Sequence, residues 1–168
     1  LRDRLYLHVG DASGLTTIDV CGGGGATSEE FVRGLYDALN SVAKAVESGV
    51  VSYGGGNQHI TAALAVREYA ESIAGRERLA IEGFARALES IPTTLIANSG
   101  NNMLDGLLEL RSQVRLGKHE SGINTAGEVG DLGEVWECSA TSIHALEAAC
   151  ETACGLLRVD QVISARGD

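Results

Sequence analysis

The stretch ITAALAVREYAESIAGRERLAIEGFARALESI, residues 60–91, decides the fold. Apolar residues recur at intervals of three or four on both sides of Gly75, as in amphipathic helices. Gly75 interrupts the pattern and predicts the joint between two helices. Aromatic residues make up only 4% of the chain, so the core must be mainly aliphatic. The side chains predicted to be buried are Leu64, Tyr69, Ile73, Leu79, Ile81, Phe84, Leu88 and Ile91.

Upstream of this pair, residues 29–48 carry another helical stripe. Thr27 and Glu30 stand at capping-box spacing at its start, and Gly49 predicts its end. Residues 5–20 favour two short strands around a glycine turn. The chain is therefore predicted to be mainly α, with a small β element at its N-terminal end.

Downstream, Pro92 fits the first position of a new short helix, where its missing N–H costs nothing. Two longer helical patterns follow at 102–117 and 139–159, and residues 118–137 between them favour a loop with short strands. The side chains predicted to be buried in these two helices are Met103, Leu104, Leu107, Leu108, Val114, Ile143, Leu146, Cys150, Cys154 and Leu157.

Charge and composition argue against several classes of protein. The formal net charge is −10, with eleven Arg and two Lys, which disfavours nucleic-acid binding. No apolar run approaches the ~18 residues that favour a membrane span. Four cysteines without a secretory leader favour a reducing cytoplasm over a disulfide framework. The acidic, Lys-poor composition is typical of a halophile, although a GC-rich genome explains the Arg bias equally well.

Three glycines in VSYGGGNQH, residues 51–59, separate two helical patterns. They could form a joint, or a loop where the backbone approaches a phosphate or ribose closely. The loop is not of the Walker A type, because no Gly-Lys-Ser/Thr follows. The run CGGGG at 21–25 is interpreted as a hinge.

Two further features could carry chemistry. Asp37 lies one turn after Arg33, where the simpler interpretation is a solvated ion pair and the alternative is a functional carboxylate. Cys150 and Cys154 share a helical face with His144 nearby in sequence. Zinc would need two more converging ligands, so core packing is favoured and no metal site is predicted.

The order of these motifs resembles the C-terminal part of a group II chaperonin subunit, in the family of the archaeal thermosome and the eukaryotic cytosolic chaperonin. The matching stretches are GLYDALNSVAKAVESGVVSYGGG at 34–56, ALAVREYAESIAGRERLAIEGFARALESIPTTLIANSG at 63–100 and GLLRVDQVI at 155–163. The resemblance implies the end of an apical domain at 1–21 and the second half of an intermediate domain at 22–53. The C-terminal half of a helical equatorial domain is implied at 54–168.

The resemblance also implies roles for single residues. Asp37 matches the aspartate of a (His/Glu)-Asp-Ala-Leu motif, which positions the water that attacks the ATP γ-phosphate. The residues implied for the ribose and adenine side of the ATP site are Gly54, Gly55, Gly56, Asn124 and Glu137. The first three match the family's GGG, Asn124 borders the adenine, and Glu137 accepts hydrogen bonds from the ribose hydroxyls.

Departures from the family surround these positions. VWECSATS at 135–142 stands where the family has VVEPLRVK, so Cys138 replaces Pro and Ser142 replaces Lys. The family's phosphate loop, GDGTT, and its magnesium-binding aspartate do not occur in these residues. The cofactors implied are ATP and Mg²⁺, with the phosphate-loop and metal ligands expected outside the chain.

The leading interpretation is a part of an ATP-dependent, cytoplasmic chaperonin subunit that assists protein folding in a double ring. Its partners would be other subunits, and unfolded polypeptides bound by an apical domain that lies outside these residues. The intact subunit would be an ATPase, and this chain alone would be inactive. The alternative is a truncated or diverged paralogue without ATPase activity, acting as an interaction or assembly module. A third interpretation is a helical metal or redox protein using Cys150 and Cys154.

Overall fold

The computed structural model describes residues 18–20 and 24–160. The strands predicted within 5–20 and most of the glycine run at 21–25 therefore lie outside the described residues. Five helices and four short strands follow one another along the described chain. They are α1 (Gly25–Ser48), β1 (Val51–Tyr53), α2 (Asn57–Glu71), α3 (Glu77–Asn98), α4 (Met103–Arg115), β2 (Ser121–Ile123), β3 (Val129–Asp131), β4 (Trp136–Cys138) and α5 (Ser139–Leu157).

The chain divides into two compact units, and the division falls within α1, between Ala43 and Lys44. In the first unit, no described residue of α1 is buried. The second unit contains the remaining elements. No helix in the described ranges is long and apolar enough to cross a membrane.

The second unit contains two antiparallel strand pairs. In one pair β1 lies against β4, with Ser52 opposite Glu137. In the other, β2 and β3 form a hairpin, with Gly122 opposite Gly130. The predicted short strands between 118 and 137 are therefore present, and they pair both locally and with a strand far upstream.

The core lies among α2, α3 and α4. One apolar cluster joins these three helices to β2. A second cluster contains the small residues Ala63 and Ala85 together with Leu88, which lets α2 and α3 approach closely. The buried members of the first cluster are Ile60, Ile96, Leu110, Val114 and Ile123.

The prediction of which side chains are buried was partly wrong. Leu88 and Val114 are buried, and Leu64, Ile73, Ile81, Leu107 and Leu146 are half-buried. The stripe between α2 and α3 is formed by alanines, so larger side chains on neighbouring faces remain at the surface. The side chains predicted to be buried but exposed in the structure are Tyr69, Leu79, Phe84, Ile91, Met103, Leu104, Leu108, Ile143, Cys150, Cys154 and Leu157.

Two predicted helix starts were also wrong. Pro92 lies inside α3 rather than at the start of a new helix. It is fully buried against the glycine loop, and this packing offsets the lost helical N–H. The second wrong start is that of α1. The Ser28 N–H donates to the Gly24 carbonyl at 3.1 Å, so α1 begins before Thr27. The predicted capping residue is therefore within the helix.

Candidate functional site

The three glycines form the turn between β1 and α2. The Gly54 N–H donates to the Val135 carbonyl at 2.9 Å, just before β4. The Gly55 carbonyl accepts from the Ile123 N–H at 2.8 Å, at the end of β2. The turn therefore connects both strand pairs to the start of α2.

Each of the three glycines is in close contact with the protein itself. A Cβ on Gly55 would overlap Leu132 Cδ1 and would lie 2.8 Å from the Ile123 backbone nitrogen. A Cβ on Gly56 would lie 2.9 Å from the Cβ of Pro92. The space that the missing side chains leave at Gly55 and Gly56 is thus occupied by Ile123 of β2, by Leu132 just after β3 and by Pro92 of α3. This close packing supports the interpretation as a joint.

Glu137 lies beside this turn and is part of a polar network. Its Oε1 is 3.4 Å from the position of a Cβ on Gly54. Its other oxygen accepts a hydrogen bond from Gln58 Nε2. Gln58 also donates to Ser142 Oγ at 2.7 Å and accepts from Ser52 Oγ at 3.1 Å. One carboxylate oxygen is therefore held by the protein, while the other faces the glycine turn.

Asn124 directly follows Ile123, the residue that bonds to Gly55. Its side-chain oxygen accepts from the backbone N–H groups of Ala126, at 2.8 Å, and of Glu128, at 3.0 Å. This arrangement shapes the turn between β2 and β3 in the manner of an Asx turn. The structure thus brings the predicted Asn124, Glu137 and glycines into one region of the second unit.

Asp37 belongs to the first unit, where its side chain is exposed on α1. The predicted ion pair with Arg33 is not formed, because Arg33 Nη1 instead lies 3.3 Å from Glu30. Within the described residues, no hydrogen bond to the Asp37 carboxylate is present. The role implied for Asp37 stays a prediction.

Three members of the site were missed by sequence reasoning. Ser52 and Gln58 border the glycines in sequence, but nothing in the helical or strand pattern indicates that they bond to Glu137. Ser142 was noticed only as a departure from the family. Their contact depends on the pairing of β1 with β4 across more than eighty residues of chain, which periodicity does not reveal.

Cys138 follows Glu137 and occupies the N-cap position of α5, where its side chain makes no capping hydrogen bond. The nearby Thr141 hydroxyl, and after it the Thr141 backbone N–H, favour the thiolate and hold the pKa of the Cys138 thiol below its ordinary value. A helix N-terminus stabilises a thiolate in the same way. The residue that replaces the family's proline is thus a half-buried thiol of increased acidity.

The chemistry around the turn fits a sugar better than a phosphate. The side chains in contact with the glycines are apolar, apart from the carboxylate of Glu137. A carboxylate accepts hydrogen bonds from hydroxyl groups and repels phosphate. In the described ranges, no three His, Cys, Asp or Glu side chains gather to hold a metal ion. A hydroxyl-bearing group is therefore chemically better matched to the Glu137 carboxylate than an anionic one.

Comparisons with known proteins agree with the resemblance seen in the sequence. A model of the TCP-1/cpn60 chaperonin family matches residues 2–167. The chain is 42% identical over 154 residues to thermosome subunit beta of Archaeoglobus fulgidus. The matched region covers 90% of this chain and 28% of that relative. It is 39% identical over 167 residues to thermosome subunit 1 of Haloferax volcanii, covering 97% of this chain and 30% of the relative.

The fold agrees with a solved structure, the open-state monomer of a group II chaperonin from Methanococcoides burtonii. The TM-score is 0.69 at 38% sequence identity, covering 82% of this chain and 35% of that one. The chain therefore belongs to the TCP-1/cpn60 chaperonin family, and the predicted group II resemblance and mainly helical fold are confirmed. It spans less than a third of the length of the two curated relatives.

Proposed function

We propose that this chain supplies the ribose and adenine side of the ATP site in a chaperonin subunit that assists protein folding in a double ring. Membership of the chaperonin family supports the general role. The observation that carries the finer assignment is the Glu137 carboxylate, with one oxygen held by Gln58 and the other beside Gly54. Such a carboxylate is oriented before any ligand arrives, which lowers the entropic cost of binding.

The roles of the residues follow from their chemistry. Glu137 accepts hydrogen bonds from sugar hydroxyls, while the glycine turn and Asn124 form the adjoining wall. Asp37 orients or deprotonates the attacking water once it reaches the γ-phosphate. ATP supplies the transferable phosphoryl group. The groups that hold the phosphates and Mg²⁺ come from outside these residues, since no basic side chain is among the described atoms nearest the three glycines.

The first prediction tests Glu137 in the full-length protein. Changing Glu137→Gln weakens a charge-assisted hydrogen bond, so we expect the Kd for ATP to rise about tenfold. With 2′,3′-dideoxy-ATP, which lacks both ribose hydroxyls, the same change should alter the Kd by less than about twofold. Calorimetric titration measures both values, and Glu134→Gln is the control because it removes a neighbouring exposed carboxylate. An equal loss for both nucleotides would show that Glu137 does not contact the ribose.

The second prediction tests Asp37 in the same protein. Removing a general base typically costs about 10²- to 10⁴-fold in rate, so Asp37→Asn should lower kcat for ATP hydrolysis by about 100-fold or more. Nucleotide affinity should remain within about twofold, because the carboxylate acts on water and not on the bound nucleotide. Glu29→Gln, on the same helix, serves as the control. Unchanged turnover in Asp37→Asn would rule out the catalytic role.

A second candidate function is an interaction or assembly module without ATPase activity. The observation in its favour is the number of large apolar side chains left exposed on α4 and α5, including Leu104 and Leu157. Where such side chains form one surface, they mark contact sites for other proteins. The absence of ATP binding by the full-length protein, together with self-association, would favour this function over the first.

A further inference from the structure

A buried ion cluster joins the three core helices. Glu89 of α3 has only 5% of its side chain exposed and accepts hydrogen bonds from Arg67 of α2 and Arg111 of α4. The distances are 3.2 and 2.7 Å from Arg67 Nε and Nη2, and 2.8 Å from Arg111 Nε. Burial raises the pKa of Glu89, but the bonds from both guanidinium groups outweigh it, so the net pKa is lowered. The cluster therefore fixes the positions of two arginines.

Each of these arginines has N–H donors that do not bond to Glu89. Both direct Nε and Nη2 towards Glu89, which leaves the Nη1 end of each fork without a partner in the described structure. Both arginines line a surface groove of about 380 Å³, which includes Arg67 of α2 and four residues of α4. We call this the arginine groove, and its lining residues are Arg67, Leu108, Arg111, Ser112, Arg115 and Leu116.

The charge of the arginine groove is opposite to that of the chain. Three arginines and no acidic residue line it within the described part of the molecule, whereas the whole chain carries −10. Arg115 forms no ion pair with any described residue. Positive charge concentrated in one concave place attracts an anionic ligand and steers its approach. Glu89 neutralises one of the three arginine charges, which leaves a net charge of about +2 at the groove of an acidic protein.

The walls of the arginine groove indicate what kind of anion fits. Leu108 is 49% exposed and Leu116 is 73% exposed, so exposed apolar surface lines the groove together with the arginines. A free phosphate ion would leave this apolar surface in water. A peptide carrying carboxylates and leucines would pair with the arginines in the bidentate manner and cover both leucines.

We propose that the arginine groove docks an acidic, leucine-containing peptide segment of a partner protein. The proposal is independent of the nucleotide site, because no residue of the groove belongs to that site. Arg115 is the residue to test. It lies at the end of α4 and does not bond to Glu89, so changing it leaves the buried cluster intact.

The experiment uses the full-length protein and a short synthetic peptide of glutamate and leucine, labelled with an uncharged dye. Fluorescence anisotropy should show saturable binding that weakens as salt is added, since the pairing is between exposed charges. Arg115→Glu should raise the Kd at least about tenfold, and Leu116→Ser should raise it several-fold. Arg158→Glu makes the same charge change at an exposed site outside the groove and should leave the Kd within about twofold.

Four outcomes would overturn the proposal. The first is equal binding of a peptide in which glutamine replaces glutamate. The second is an unchanged Kd in Arg115→Glu. The third is displacement by millimolar inorganic phosphate with no effect of Leu116→Ser, which would make the groove a simple oxyanion site. The fourth is dissociation of oligomers by Arg115→Glu without peptide, seen in sedimentation velocity, which would assign the surface to a second copy of the chain.

Discussion

At the residue scale, Gly55 has the most restricted surroundings of the three glycines. Its φ of +62° lies in the left-handed region, which costs a residue with a Cβ about 1–2 kcal/mol. The Cβ would also meet Leu132 and the backbone of Ile123, both within 2.8 Å. Backbone atoms of a paired strand cannot move aside as a flexible side chain can. Gly55 is therefore required by the fold, whether or not a ligand binds.

The third prediction follows from this geometry. Gly55→Ala should lower the free energy of unfolding by about 3 kcal/mol, the sum of the left-handed conformation and overpacking. Urea unfolding followed by circular dichroism measures the loss. Gly130→Ala, in the opposing hairpin, has nothing within 4 Å of its Cβ and should be neutral or stabilising by about 0.5 kcal/mol. Equal stability of the two variants would contradict the close packing at Gly55.

At the element scale, the helices could be predicted from sequence and their packing could not. The 3.6-residue period of apolar positions places α2, α4 and α5 within a few residues of their observed bounds. Burial is decided by which helices meet, and Ala63 of α2 packs in one buried cluster with Ala85 of α3. Alanine carries little weight in an apolar pattern, so the larger Tyr69 and Phe84 were wrongly predicted to be buried.

The fourth prediction concerns the connection of α2, α3 and α4 through Glu89. Glu89→Gln leaves Arg67 and Arg111 without their counter-ion and should cost about 3 kcal/mol at neutral pH. Glu82→Gln, on the same helix, breaks only a partly exposed pair with Arg78 and should cost about 0.5 kcal/mol. Urea unfolding at pH 7 measures both. Equal effects of the two changes would contradict the importance of the buried cluster.

The same cluster predicts how stability depends on pH. The pKa of Glu89 is lower in the folded state than its ordinary value of 4.5. Its contribution to the unfolding free energy is therefore complete above pH 4.5 and is lost as the pH falls from there through the folded-state pKa. The difference in stability between the natural chain and Glu89→Gln should shrink over that range. A difference that stays constant with pH would contradict the lowered pKa.

At the scale of the whole molecule, sequence reasoning identified the family, but not how the residues around the glycine turn are held together. Asn124 and Glu137 were predicted on resemblance, and the structure brings both to the glycine turn. The bonds from Gln58 to Glu137 and Ser142 arise only when β1 meets β4. Such contacts between distant segments leave no local pattern in a single sequence. For the same reason, the surface that the fold leaves exposed cannot be predicted from a local pattern.

The last prediction concerns that exposed surface. Ile143 and Leu157 lie on one face of α5 with 57% and 86% of their surface exposed, and burying both against another protein would be favourable. We expect the average mass of the 168-residue chain to rise with concentration in sedimentation velocity. The double change Ile143→Ser and Leu157→Ser should shift it towards the monomer, whereas Ala145→Ser on another face should not. A chain that stays monomeric at all concentrations would show that this face is not an association surface, and would remove the main support for an assembly module.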